Sequence, residues 1–320
     1  MKPLICAILS CSIWVWDAAR AEVIDGTFNS PALGVSKTYR VYLPTDYSSS
    51  DYRYPVIYLL HGWGVTERYW IDQLALAETA DAIRLQAIIV MPDGDRSFYS
   101  NSLAEIDYET CLSESAPRQN KEEPRKEFCV RKANYETYIV ADLIDHIDRE
   151  FRTHARRGGR GISGESAGGF GAMQLAMRNK DVFGSVAVHS AFLSLLYDGP
   201  RPYTPGVVKN RSFIEPEKMN PAAVEVFGRD IARWRAHDPV SLVETLAPDE
   251  LRIYFDCGMQ DEYGFYDEAR YFDEQLKLRA IPHRFEAVEG KHEDALWKER
   301  IKHSLLFHAQ SFREAGFLPQ

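Results

Sequence analysis

"GISGESAGGFGAM", Gly161 to Met173, is the stretch on which the fold turns. An extended "RGGRGISG" leads into it and a helical "AGGFGAMQLAMRNK" leads out. Between them stands Gly164-Glu165-Ser166-Ala167-Gly168, a Gly-x-Ser-x-Gly pattern at a strand-to-helix turn. The turn is tight, so Gly164 and Gly168 must lack a Cβ for strand and helix to approach. Ser166 then stands exposed at the carboxyl end of a sheet, with a helix dipole and free backbone N–H groups behind it. The pattern alone is weak, since composition supplies about 0.08 such matches per chain by chance, the risk any short motif carries. A reactive serine also needs a base, a group that orients the base, and donors for a developing oxyanion.

The surrounding sequence places that turn in an α/β architecture. "YPVIYLLHG" and "QAIIVMPDG" are continuous apolar runs bounded by Pro and Gly, as expected for strands buried on both faces. "GRGISG", "FGSVAVHSA", "LRIYFDCG" and "HRFEAVEG" read as further strands. "ERYWIDQLALAETADAIRL", "YETYIVADLIDHIDREF", "YDEARYFDEQLKLRA" and "ERIKHSLLFHAQSF" read as helices, the first continuous. Alternating strands and helices predict a mostly parallel central sheet with helices on both faces, and ligands that bind at the carboxyl ends of the strands. Two stretches break the rhythm, at about 103–133 and 195–239. The second is rich in Pro and aromatics and is expected to cap the site.

The chain of 320 residues is 45% hydrophobic and 27% charged, which suits a globular core. A formal net charge of −9 argues against nucleic acid as a partner. "MKPLICAILSCSIWVW" has one lysine and then an apolar stretch, and "DAARA" offers small residues at Ala19 and Ala21. This predicts a signal peptide over 1–21, a single mature domain over 22–320, a secreted or periplasmic location, and no stable membrane insertion after cleavage. Cys111 and Cys129 bracket a polar segment and are expected to form a disulfide, worth roughly 3 kcal/mol in the chain-entropy model. Cys257 lies in a strand and reads as a buried free thiol. No cysteine pairing has metal-ligand spacing, and no cofactor or metal is called for. His303 and His308 share a helix at i and i+5, which turns them apart.

"YRVYLP", "YPVIYLLHGWG", "MPDGDRSFYSN", "YETYIVADLI", "GESAGGFGAMQLAMRNKDVFGSVAVHSA" and "CGMQDEY" together resemble the putative-esterase branch of the α/β-hydrolases. That branch includes S-formylglutathione hydrolases, feruloyl and short-chain acyl esterases, enterochelin esterases and mycolyltransferases. With a later histidine the likeness runs from about Tyr39 to His292. It implies a nucleophile, an acid and a base in that chain order. Ser166 is the nucleophile. Asp256, Asp261 and Glu262 are candidate acids, and Asp261 is chosen because it follows the strand's carboxyl end. His292, in "EGKHEDALW", is the base, with Lys291 where relatives often carry glycine. The oxyanion donors implied are the backbone N–H groups of Ala167 and of Trp63 in "HGWG", with His61 structural. Tyr99, Asn101 and His189 are expected to touch substrate. The resulting expectation is a serine esterase acting on short-chain acyl, feruloyl-type or carbohydrate-borne esters through an acyl-enzyme. Acyl transfer to a sugar hydroxyl and a non-catalytic binding protein are the alternatives; S-formylglutathione hydrolysis and peptidase activity rank lower.

Overall fold

The computed structural model describes residues 21–103, 108–113, 124–131 and 134–319. The body of the expected signal segment, residues 1–20, and much of the 103–133 stretch lie outside the described residues. The fold is built on one eight-stranded sheet in the order β1-β2-β4-β3-β5-β6-β7-β8. Its strands are β1 (Glu22–Ser30), β2 (Val35–Leu43), β3 (Val56–Leu60), β4 (Ile88–Pro92), β5 (Arg160–Glu165), β6 (Ser185–His189), β7 (Arg252–Gly258) and β8 (His283–Val288). β1 and β2 pair antiparallel, as do β2 and β4, and every later pairing is parallel.

β3 shows why the parallel strands read as unbroken apolar runs. Val56, Tyr58 and Leu60 enter one core cluster, while Ile57 and Leu59 enter the cluster on the opposite face. The first cluster is covered by α3 (Ile144–Glu150), α4 (Ser166–Arg178) and α5 (Phe265–Leu278) through Ile144, Leu175 and Phe272. The second is covered by α1 (Tyr69–Asp72), α2 (Leu76–Ala82) and α6 (Asp294–Glu314) through Trp70, Leu76 and Ile301. A strand covered on both sides has no polar face, so it carries no period-2 signal. Among the described residues no helix is long and apolar enough to cross a membrane.

The structure departs from the sequence expectations in three places. β1 was not anticipated; it is a half-exposed edge strand joined to β2 through a turn at Gly34, φ +69°. The helix expected over 67–85 is broken at Ala75, φ 53°. At about 100° per residue an unbroken helix would put Leu74 and Leu76 on opposite sides; the break returns both to the core, where each is fully buried. The stretch around 103–133 is not simply irregular. It contains two short helices, Tyr108–Ser113 and Arg125–Arg131, joined by the Cys111–Cys129 disulfide. Helices of one or two turns are marginal alone, and the bridge ties this pair together. The 195–239 segment builds its own apolar cluster, in which Phe227 and Trp234 pack with Phe98 and Phe170.

The sheet changes winding direction at β3: β4 lies to one side of it and β5 to the other. Adjacent loops leaving a sheet at such a point part to form a crevice. Here those loops are the one after β3, carrying Gly62 and Trp63, and the turn after β5, carrying Ser166. The strand-to-helix turn depends on its glycines. A Cβ on Gly164 would lie 2.4 Å from the Gly168 carbonyl, and one on Gly168 would lie 2.5 Å from the Leu60 and His61 carbonyl oxygens. Helix propensity favours alanine over glycine by about 1 kcal/mol, but backbone atoms cannot rotate away and overpacking costs about 1–3 kcal/mol. Gly168→Ala is therefore expected to lower the unfolding free energy by about 1 kcal/mol, read from the urea midpoint; a midpoint at or above wild type would refute the close-approach account.

Candidate active site

Ser166 opens α4 with φ 51°, a left-handed conformation that non-glycine residues adopt at a cost of about 1–3 kcal/mol. The strain turns its side chain out of the helix and into a cleft of about 510 Å³. There Ser166 Oγ lies 2.9 Å from His292 Nε2. On the other side of the ring His292 Nδ1 lies 2.8 Å from Asp261 Oδ2. The carboxylate accepts the Nδ1 proton, which leaves Nε2 as the acceptor for the serine hydroxyl. This arrangement can take a proton from serine as it attacks a carbonyl and return it to a leaving group.

His292 and Asp261 sit on two loops laced together. Asp261 follows β7, its carboxylate fully buried, and its second oxygen accepts the Tyr263 N–H at 3.0 Å. His292 follows β8. Gln260 accepts the Gly290 N–H at 2.7 Å while its own N–H binds the Gly290 carbonyl at 3.0 Å. Glu262 accepts the His292 N–H at 3.2 Å. Tyr263, Phe265 and Trp297 pack edge-on around the imidazole, with centroids 4.8–5.3 Å away. Glu262, one of the candidate acids, thus holds the His292 backbone.

Trp63 and Ala167 both line the cleft. Ala167 is the second residue of α4, in the first turn, where N–H groups have no partner within the helix. The Trp63 indole is 39% exposed and packs on Phe98 at 5.3 Å, so its ring is a cleft wall rather than core. His61 Nε2 accepts the Gly94 N–H at 2.8 Å, which leaves the Nδ1 proton for the Gly62 carbonyl, also at 2.8 Å. This pins the loop from inside, as expected of a structural histidine.

The expected substrate contacts at Tyr99, Asn101 and His189 are not what the geometry provides. Tyr99 is buried beneath α4, its phenol donating to the His61 carbonyl at 2.8 Å; its neighbour Phe98 faces the cleft instead. Asn101 binds Thr137 at 3.0–3.1 Å, outside the cleft lining. His189, the last residue of β6, is fully buried. Its Nδ1 faces Asp256 at 3.0 Å and its Nε2 faces Ser304 at 3.0 Å. This second Ser–His–Asp constellation has no access to solvent. Burial pushes the Asp256 carboxyl up, but His189, Arg300 and Tyr254 outweigh it and hold the group below its ordinary range. His308 is buried between Ser163 and Ser185, and burial pushes it down to about 3.

Three further residues shape the cleft without a signal in the sequence. Glu165 is fully buried behind Ser166 and accepts the Gly62 N–H. Asp294 lies at the start of α6, with Tyr69 donating to it at 2.7 Å. Asn220 reaches the cleft from the 195–239 segment. Lys291 is exposed and does not line it. Among the described residues no cluster of three His, Cys, Asp or Glu could hold a metal ion.

Comparison with known proteins agrees with this architecture. The family model described as "Putative esterase" matches residues 30–308, and the chain belongs to that family. It is 30% identical over 280 residues to Esterase Rv1288 of Mycobacterium tuberculosis, covering 83% of this chain and 54% of that protein. The chain thus spans about half the length of such curated relatives. Among solved structures, a ferulic acid esterase superposes with a TM-score of 0.68 at 21% identity, covering 91% of this chain and 99% of that one. An S-formylglutathione hydrolase from Agrobacterium tumefaciens superposes with a TM-score of 0.65 at 22% identity, covering 92% and 97%. The fold is that of the α/β-hydrolases.

A fluorophosphonate probe should modify Ser166 and leave Ser304 untouched, as read by peptide mass spectrometry. His292→Ala should abolish the labelling. Equal modification of the two serines would show that the relay does not single out Ser166.

Proposed function

We propose that this chain is an exported serine carboxylesterase that hydrolyses uncharged short-chain or aromatic acyl esters through an acyl-enzyme. The observation that carries this reading is the continuous Ser166–His292–Asp261 hydrogen-bonded relay opening into a cleft. Ser166 Oγ attacks the ester carbonyl and His292 takes its proton. Asp261 stabilises the imidazolium, and the N–H groups of Trp63 and Ala167 hold the tetrahedral oxyanion. The carbonyl re-forms, the alcohol leaves with the proton from His292, and water repeats the sequence to release the acid. Losing one oxyanion donor from such a site costs on the order of 10²–10³ in rate.

The lining favours an uncharged acyl group. Trp63, Phe98, Phe192, Phe265 and Trp297 supply aromatic walls, and Glu165 and Asp294 supply carboxyl groups. Among the described residues no Lys or Arg side chain lines the cleft. A free carboxylate on the substrate therefore meets no compensating charge. The 195–239 segment, reaching the cleft through Asn220, acts as the cap. Export is supported by the apolar leader ending at Ala21 and by β1 beginning at Glu22, so that cleavage there leaves the sheet whole.

Purified protein should turn over p-nitrophenyl acetate, p-nitrophenyl butyrate and methyl ferulate with kcat/KM at least ~10-fold above that for S-formylglutathione, which carries carboxylates. Ser166→Ala should lower turnover by ~10³-fold or more, because the three residues act as a unit. Serine-independent turnover would sink the assignment. A serine-dependent burst without steady turnover would favour acyl transfer to an alcohol. N-terminal sequencing of the protein from an exporting host should begin at Glu22; a retained Met1 would remove the export reading.

A further inference from the structure

Glu165 is a group the reaction does not account for. It occupies the variable position before the nucleophile, and its side chain is buried yet borders the cleft. Its carboxyl accepts the N–H of Gly62 on the neighbouring loop. The fit leaves no slack, because a Cβ on Gly62 would fall 2.2 Å from the Glu165 Oε1 atom. Gly62 is joined directly to Trp63, whose N–H is the oxyanion donor of the proposed mechanism. One carboxyl therefore bridges the two strand ends that must hold their spacing for both donors to converge on one oxygen.

We propose that Glu165 is a positioning residue of the oxyanion loop, its neutral carboxyl group gripping the Gly62 N–H and so aiming the Trp63 N–H at the reacting carbonyl. The inference rests on the esterase reading above. The surroundings favour the neutral form. Among the described residues no Lys or Arg acts on the carboxyl; besides burial, the Gly62 N–H and Asp294 do. Asp294 at the start of α6 opposes a charge there, and Tyr69 and Tyr99 present phenols whose own acidity is suppressed. His189, in register with Glu165 on β6, and His61, one residue past the end of β3, spend their ring nitrogens on Asp256 and Ser304 and on Gly62 and Gly94. His292 is bound to Ser166 and Asp261. Burial, with Asp294 adding to it and the Gly62 N–H opposing it, raises the Glu165 carboxyl to about 8.

The sign follows directly. Below about pH 8 the group is a neutral acid, and the oxyanion forms on the loop it grips without a like charge beside it. Above that pH it becomes a buried carboxylate one peptide unit from the oxyanion donor, and it opposes the negative charge of the transition state. Activity therefore carries an alkaline limb that belongs to Glu165.

The test compares wild type, Glu165→Gln and Glu165→Ala on p-nitrophenyl acetate across the alkaline range. Gln keeps a carbonyl acceptor for Gly62 and cannot ionise; Ala removes the grip. Wild type should lose kcat/KM above about pH 8. Glu165→Gln should lack that limb. Glu165→Ala should lose on the order of 10²-fold in kcat with KM little changed, the scale of a lost oxyanion donor, and Gln should restore most of it. A Gln variant with the wild-type limb, or an Ala variant as fast as Gln, overturns the proposal. Difference infrared spectroscopy reads the carboxyl without turnover: a protonated C=O band present at neutral pH, lost above about pH 8 and missing from Glu165→Gln, is expected. No such band in wild type also overturns the proposal, even where Glu165→Ala fails to fold. A band without Ser166-dependent turnover would count against the esterase reading and leave the neutral buried acid standing.

Discussion

The helix α4 rests on the carbonyl end of β3 with nothing between them but the absent side chain of Gly168. That contact sets the spacing of two loops that belong to different strands. It brings the turn after β5 against the loop after β3, and it puts Ser166 into the left-handed conformation that turns its hydroxyl outward. The remaining geometry follows from it. The carboxyl of Glu165 reaches Gly62 only because the strand ends are this close, and Ala167 and Trp63 face one cleft for the same reason. The cost of the strained serine is offset by the buried mass of α4, in which Phe170, Met173, Leu175 and Met177 are inaccessible or nearly so.

His292 and Asp261 are held by a different device. Neither stands on a regular element, yet both are fixed, because the loops after β7 and β8 exchange hydrogen bonds through Gln260, Glu262 and Asp261 and because three aromatic rings enclose His292. Electrostatics divides the buried carboxyls by what surrounds them. Burial raises both Asp256 and Glu165, but Asp256 has His189, Arg300 and Tyr254 to hold its charge, whereas Glu165 has one backbone N–H. Two buried carboxyls on β5 and β7, with β6 between them, are thus pushed in opposite directions by what they face.

The parts of this arrangement that were legible in the sequence are those fixed along the chain. β3 and β4 announced themselves as apolar runs bounded by Pro and Gly, and Ser166, Asp261 and His292 each follow the end of a recognisable strand. What was not legible depends on which way a side chain faces. His189 stands at a strand end, as an active-site residue would, but its ring turns toward α6 and Ser304. Tyr99 and Phe98 are adjacent aromatics, and the one that reaches the cleft is decided by a backbone at φ 52° that sends Tyr99 inward. β1 carries no clear signal because Gly26 and interspersed polar residues mask a half-exposed edge strand. Glu165 occupies a position whose identity the motif leaves open, so nothing in the pattern marked it.

The Asp256–His189–Ser304 constellation has a consequence of its own. The chain holds the same three residue types twice, bonded in the same order at similar distances. The inner set is sealed from solvent, and its serine hydroxyl donates to the Ile301 carbonyl. The molecule thus carries its own control. A serine, a histidine and an aspartate within hydrogen-bond reach serve as mortar when the space beyond the hydroxyl is filled, and become an instrument only when that space is left empty.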